Sequence, residues 1–164
     1  MELLAEIQGL KQLNYSASHN QTIYEACSKH HKTLFFCWNI RTGIDRDIHI
    51  DRIVAYVNWY GENVLFPKME IEEKLLFTIL NEDNYLVKRA LKEHRRLRRL
   101  FKIGTNPMKN LIYIEEELDL HIRFEEKNIL TEIENVATQK QLKAINDALG
   151  QLPTNADWND HFWE

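Results

Sequence analysis

One helical face of this chain is oily at both ends and charged in the middle. Leu111, Ile114 and Leu118 are followed by His121 and Glu125, and then by Ile129. The steps of three and four predict a single helix. At about 3.6 residues per turn, His121 and Glu125 stand one above the other on its inward face. A buried carboxylate is costly unless hydrogen bonds, a cation or a metal compensate it. Any fold of this chain has to meet that demand.

The remaining sequence reads as helices of similar length. A short amphipathic helix is expected over 2–13, then a polar loop over 14–21. A first long helix is expected over 22–41, with the stripe Tyr24, Cys27, His31, Leu34, Phe35 and Trp38, stopped by Gly43. A second, from about 48 or 51 to 80, carries Val54, Val57, Val64, Leu65, Lys68, Glu72, Leu75, Leu76 and Ile79. Pro67 should kink or interrupt it. A third, over 83–102, carries Val87, Ala90, Leu91, His94, Leu97 and Phe101 and is ended by Gly104. Asn106 can cap the fourth, with Pro107 in its first turn and an end near 134. Thr138 and Gln141 have capping-box spacing for a fifth, over 139–149. Trp158, Phe162 and Trp163 imply a tail docked on the helices.

The chain's 164 residues suffice for one domain, read here as 1–164 with a core over about 22–134. Its 5 Gly and 3 Pro argue against a sheet fold with many tight turns. Short connections make sequential helices antiparallel neighbours, so the expected fold is all-α: an up-down-up-down four-helix bundle with an added C-terminal helix. Cys27 and Cys37, about 15 Å apart along one helix, cannot form a bridge and read as free thiols in a reducing cytoplasm. The start mixes charged and apolar residues, so no secretory leader is expected. No apolar run is long enough to span a membrane. Helix 83–102 is strongly basic, but Lys88, Arg89, Lys92, Arg95, Arg96, Arg98, Arg99 and Lys102 lie off its apolar stripe. They read as a solvated face, not as a nucleic-acid surface. Glu115, Glu116 and Glu117 read as surface residues.

Each of the four stripes is broken near its middle: by His31, by Lys68 with Glu72, by His94, and by His121 with Glu125. In a bundle these groups converge on one buried polar spot. Imidazoles and carboxylates together suit iron, zinc or manganese.

These residues resemble the hemerythrin-like, or HHE cation-binding, family over roughly residues 25–134. The matching segments are His30-His31-Lys32-Thr33-Leu34-Phe35, Glu70-Ile71-Glu72-Glu73-Lys74-Leu75-Leu76-Phe77, Leu91-Lys92-Glu93-His94-Arg95-Arg96-Leu97 and Leu120-His121-Ile122-Arg123-Phe124-Glu125-Glu126. The tail Asp157-Trp158-Asn159-Asp160-His161-Phe162-Trp163 looks like the ending of bacterial members. The resemblance implies four antiparallel helices around a non-haem di-iron centre with two bridging carboxylates. The implied metal ligands are His31, Glu72, His94, His121 and Glu125, with His30 as the alternate in the first helix.

One implied ligand is missing: Lys68 stands where the family has a second-helix histidine. The remaining set could hold two metals, one of them completed by water. It could hold one metal. It could also hold none, with Lys68 as a built-in cation between Glu72 and Glu125. Lys68 is expected to snorkel outward and vacate the ligand position. The resemblance implies a cytoplasmic iron protein that binds or senses oxygen, nitric oxide or peroxide, or handles iron, and is not expected to be an enzyme. The alternatives are a metal-free structural or interaction module and a di-iron oxidase-type enzyme.

Overall fold

The computed structural model describes residues 23–164, so the helix expected over 2–13 and the loop over 14–21 lie outside the described residues. The described residues are all-helical, with no strand. Five helices carry the fold. Helix α1 is Tyr24–Asp45. Helix α2 spans 50–80 as α-helical pieces Ile50–Tyr60, Phe66–Ile71 and Phe77–Leu80, joined by the π-helical turns Gly61–Leu65 and Glu72–Leu76. Helix α3 is Tyr85–Leu100. Helix α4 spans 107–136, as Pro107–Phe124, the π turn Glu125–Ile129 and Leu130–Val136. Helix α5 is Gln139–Gly150.

Polar side chains start α3, α4 and α5 by satisfying amides that have no partner within the helix. Asn84 Oδ1 accepts from the Leu86 amide at 2.9 Å, and Asn106 Oδ1 accepts from the Lys109 amide at 3.2 Å. Thr138 and Gln141 form the reciprocal box that their spacing predicts: Thr138 N–H donates to Gln141 Oε1 at 2.8 Å, and Gln141 N–H to Thr138 Oγ1 at 3.2 Å.

Two breaks expected from the sequence take another form. Gly43 does not stop α1, which runs on to Asp45; the chain turns at Asp47, with φ of 55°. Gly43 instead lets other parts of the protein approach. A Cβ there would lie 2.8 Å from the Phe162 ring and 2.9 Å from Ile53. Pro67 does not interrupt α2. It lies just after a π turn in which the Phe66 amide donates to Gly61 O, so the ladder has already widened where an amide is lost.

Helix α1 packs against α2, α4 and α5, and α3 packs against α4. The apolar interior has two parts. One centres on Phe36, Tyr56, Tyr60, Leu97, Ile114 and Leu118, the other on Ala26, Phe77, Ala90, Ile129 and Ile145. Phe36 stacks on Tyr60 with centroids 3.9 Å apart. Trp158, Phe162 and Trp163 surround Tyr56 at 5.9, 5.6 and 4.9 Å. The tail is also tied down by polar contacts: Arg46 donates to Trp163 O at 2.8 Å, and Arg52 forks onto Asp160 at 2.9 and 2.6 Å. Both cysteines are free and buried, and burial pushes the Cys27 thiol up to about 12, so it stays neutral. No helix among the described residues is long and apolar enough to cross a membrane.

Candidate metal centre

Six ionisable side chains from four helices meet in the interior: His30 on α1, Lys68 and Glu72 on α2, His94 on α3, and His121 and Glu125 on α4. None is more than 3 % exposed, so whatever balances their charges has to lie among them or beside them. The π turns Glu72–Leu76 and Glu125–Ile129 begin at the two inner carboxylates. An extra residue in each of these turns re-aims the side chains around it, and such bulges are frequent at functional sites.

Each carboxylate divides its oxygens between two sides. Glu125 Oε2 faces His30 Nε2 at 3.0 Å and Lys68 Nζ at 3.7 Å, while Glu125 Oε1 faces His121 Nε2 at 2.9 Å and His94 Nε2 at 3.3 Å. Glu72 Oε1 accepts from the Lys68 ammonium one turn away and lies 3.7 Å from His30 Nε2; Glu72 Oε2 lies 3.4 Å from His94 Nε2. Two sets of potential ligand atoms result, His94 with His121 and Glu125, and His30 with Glu72 and Glu125.

Two expectations from the sequence need correction. In α1 the inward position belongs to His30, which is fully buried, while His31 is exposed. The inward face of α1 runs through Ala26, His30, Thr33, Cys37 and Ile40, about one residue out of phase with the stripe drawn through His31 and Leu34. Lys68 does not snorkel outward. It is 1 % exposed, and its ammonium lies between Glu72 and Glu125, whose charges compensate its loss of hydration. Glu72, His94, His121 and Glu125 stand where the sequence stripes placed them, on the inward face.

Three residues beside the site went unrecognised in the sequence. His94 Nδ1 lies 2.8 Å from Glu73, His121 Nδ1 lies 2.7 Å from Glu93, and His30 Nδ1 lies 3.4 Å from Glu126. Each imidazole therefore has a carboxylate behind it and turns Nε2 to the centre. A neutral imidazole that donates from Nδ1 carries its lone pair on Nε2, the form that ligates a metal. Arginines hold two of the three carboxylates in turn: Arg98 donates to Glu73 at 2.9 Å and Arg89 to Glu93 at 2.8 Å. The available signal was adjacency, since Glu73, Glu93 and Glu126 each neighbour a site residue in sequence. Glu115 is a further correction: it is buried and paired with Arg41.

The electrostatics are those of a cluster that balances itself with protons. Burial and the Lys68 charge lower His30, but Glu125, Glu126 and Glu72 outweigh them and raise it to about 10. Burial lowers His94, but Glu125, Glu72 and Glu73 raise it to about 10. Burial and the Glu125 charge raise Glu72, but Lys68, His30 and His94 pull it down to about 2. Burial also opposes the charge on Lys68, yet Glu72 and Glu125 keep its pKa above the ordinary lysine value.

Comparison with protein-family models, with curated proteins and with solved structures finds no match.

The donor set could hold a metal ion. Ligand atoms about 2.1 Å from an ion lie about 3.0 Å apart along an octahedral edge and about 3.4 Å apart along a tetrahedral one. The separations of 2.9 and 3.3 Å from Glu125 Oε1 to His121 Nε2 and His94 Nε2 lie close to those edges, and Glu72 Oε2 is 3.4 Å from His94 Nε2. Glu72 Oε2 and His121 Nε2 are buried and make no hydrogen bond, which a metal ligand does not require. A recess of about 250 Å3 is lined by Arg89, Glu93, Arg96, Leu97, Leu120 and, of the cluster residues, His121.

Proposed function

We propose that this protein binds a non-haem metal and is of the hemerythrin-like kind. In this reading α1–α4 form an antiparallel up-down-up-down bundle, and α5 and the aromatic tail are additions to it. The observation that supports it most is the orientation of the imidazoles: three Nε2 atoms turn inward towards two carboxylates, each with a carboxylate behind its ring. His94, His121, Glu125 and Glu72 would hold the ion, with His30 beside Glu125. Two imidazoles with carboxylate suit iron(II), with zinc or manganese as other occupants. Bound iron would supply an open position for oxygen, nitric oxide or peroxide.

The chain's own groups prepare that position. Glu73 and Glu93 fix the rings of His94 and His121. Phe77, 5.4 Å from the His94 ring, puts an apolar wall beside it. The test is the metal content of the purified chain after loading with iron(II). The parent should retain iron, and His121→Ala and Glu125→Ala should each lower it sharply. Equal iron in all three proteins would place the metal elsewhere.

A second reading is favoured by Lys68. Its inward ammonium already compensates Glu72 and Glu125, as a metal-free structural module would need. A parent chain that retains no metal would establish that reading instead.

A further inference from the structure

The two sides of the cluster are not equivalent. On one side, the oxygens Glu72 Oε1 and Glu125 Oε2, together with His30 Nε2, could form a second metal position. The Lys68 ammonium contacts both of those oxygens. An ion there would share its carboxylate oxygens with a fixed positive charge a few ångströms away, in a place water does not reach. Among the described residues, no lysine or arginine pairs with the carboxylate oxygens on the other side. There His94 Nε2 and His121 Nε2 face Glu125 Oε1, His94 Nε2 also lies 3.4 Å from Glu72 Oε2, and neither His121 Nε2 nor Glu72 Oε2 makes a hydrogen bond.

We infer that the centre takes one divalent ion, on His94, His121, Glu125 and Glu72, and that the Lys68 ammonium fills the second metal position. The inference rests on the metal reading above. Under it, His30 serves as a hydrogen-bond donor to Glu125 Oε2 at 3.0 Å, and is not a ligand. Glu72 and Glu125 would then each turn one oxygen to the ammonium and leave the other for the ion. The site is built as a pair of cations, one of them supplied by the protein itself.

The full chain is loaded with iron(II) under nitrogen, and separately with zinc(II), then desalted, and ions per chain are counted. The parent should hold one ion of either metal. Lys68→His removes the ammonium and adds an imidazole one turn from Glu72, so it should hold two. His30→Ala should still hold one, and His121→Ala should lose it. His30→Ala carries the test by itself if Lys68→His does not fold. Two ions in the parent, or one in folded Lys68→His, would overturn the inference and leave the metal reading intact. So would loss of the ion in folded His30→Ala. A parent that holds no ion overturns the metal reading and the inference together.

Discussion

Glu93 holds the Nδ1 edge of His121 at 2.7 Å, and Arg89 holds Glu93 in turn at 2.8 Å. Glu93 sits on α3 and His121 on α4, so this contact joins two helices behind the proposed ligand. It fixes the ring orientation and makes Nε2 a better donor to a metal. Glu93→Ala should weaken metal affinity about 10- to 100-fold while the helices stay folded. Competition with a chelator of known affinity measures this. An unchanged affinity would show that His121 is not held for ligation.

Lys68 is buried between two carboxylates, so its charge should matter most when no metal is present. Lys68→Met leaves that negative charge less compensated and should cost the metal-free protein about 3–5 kcal/mol, as for other broken buried ion pairs. Urea unfolding of parent and variant, both stripped of metal, gives the difference. A loss below about 1 kcal/mol would mean that the protonated imidazoles compensate the carboxylates without Lys68.

The imidazoles set the pH behaviour of the metal-free chain. His30 and His94 rise from 6.5 to about 10 on folding. Their stabilisation is therefore complete below about pH 6.5 and is lost as pH rises through about 10. Glu72 falls from 4.5 to about 2 on folding, so its contribution is present above about pH 4.5 and is lost as pH falls through about 2. Metal-free stability should accordingly plateau between about pH 4.5 and 6.5 and decline towards pH 9. Ligating imidazoles must give up a proton, so the extra stability gained from metal should grow over the same rise in pH. Melting series with and without metal, from pH 5 to 9, test both slopes. A metal benefit that shrinks with pH would argue against imidazole ligands.

Gly43 lies where the tail crosses α1. Alanine there gains about 0.5–1 kcal/mol of helix propensity. It also drives a methyl to 2.8 Å from the Phe162 ring and 2.9 Å from Ile53, a crowding that costs about 1–3 kcal/mol. The crowding should win, giving a net loss of about 1–2 kcal/mol and altered emission from Trp158 and Trp163. A stabilised Gly43→Ala with unchanged fluorescence would mean that the tail is not seated against α1.

Much of the helical plan was legible along the chain. Asn106 and the Thr138–Gln141 pair announce helix starts through short-range hydrogen bonds, and such signals survive in any tertiary setting. The stripes of α3 and α4 were readable because each has one apolar face, so His94, Glu125 and His121 could be placed on it from spacing alone.

What the chain left open was decided between helices. Helix α1 has neighbours on several sides, and its apolar residues are spread around it. Periodicity could not separate His30 from His31, a step of about 100° round the helix. Packing against α2, α4 and α5 made that choice. Lys68 has a stem long enough to point outward or inward; the buried oxygens of Glu72 and of Glu125, the latter on another helix, turned it inward. Glu73, Glu93 and Glu126 went unrecognised because each meets its histidine only across an interhelical contact. Spacing along one helix determines which residues share a face. Which atoms of that face meet those of another helix depends on how the helices dock, and there the tertiary structure decided.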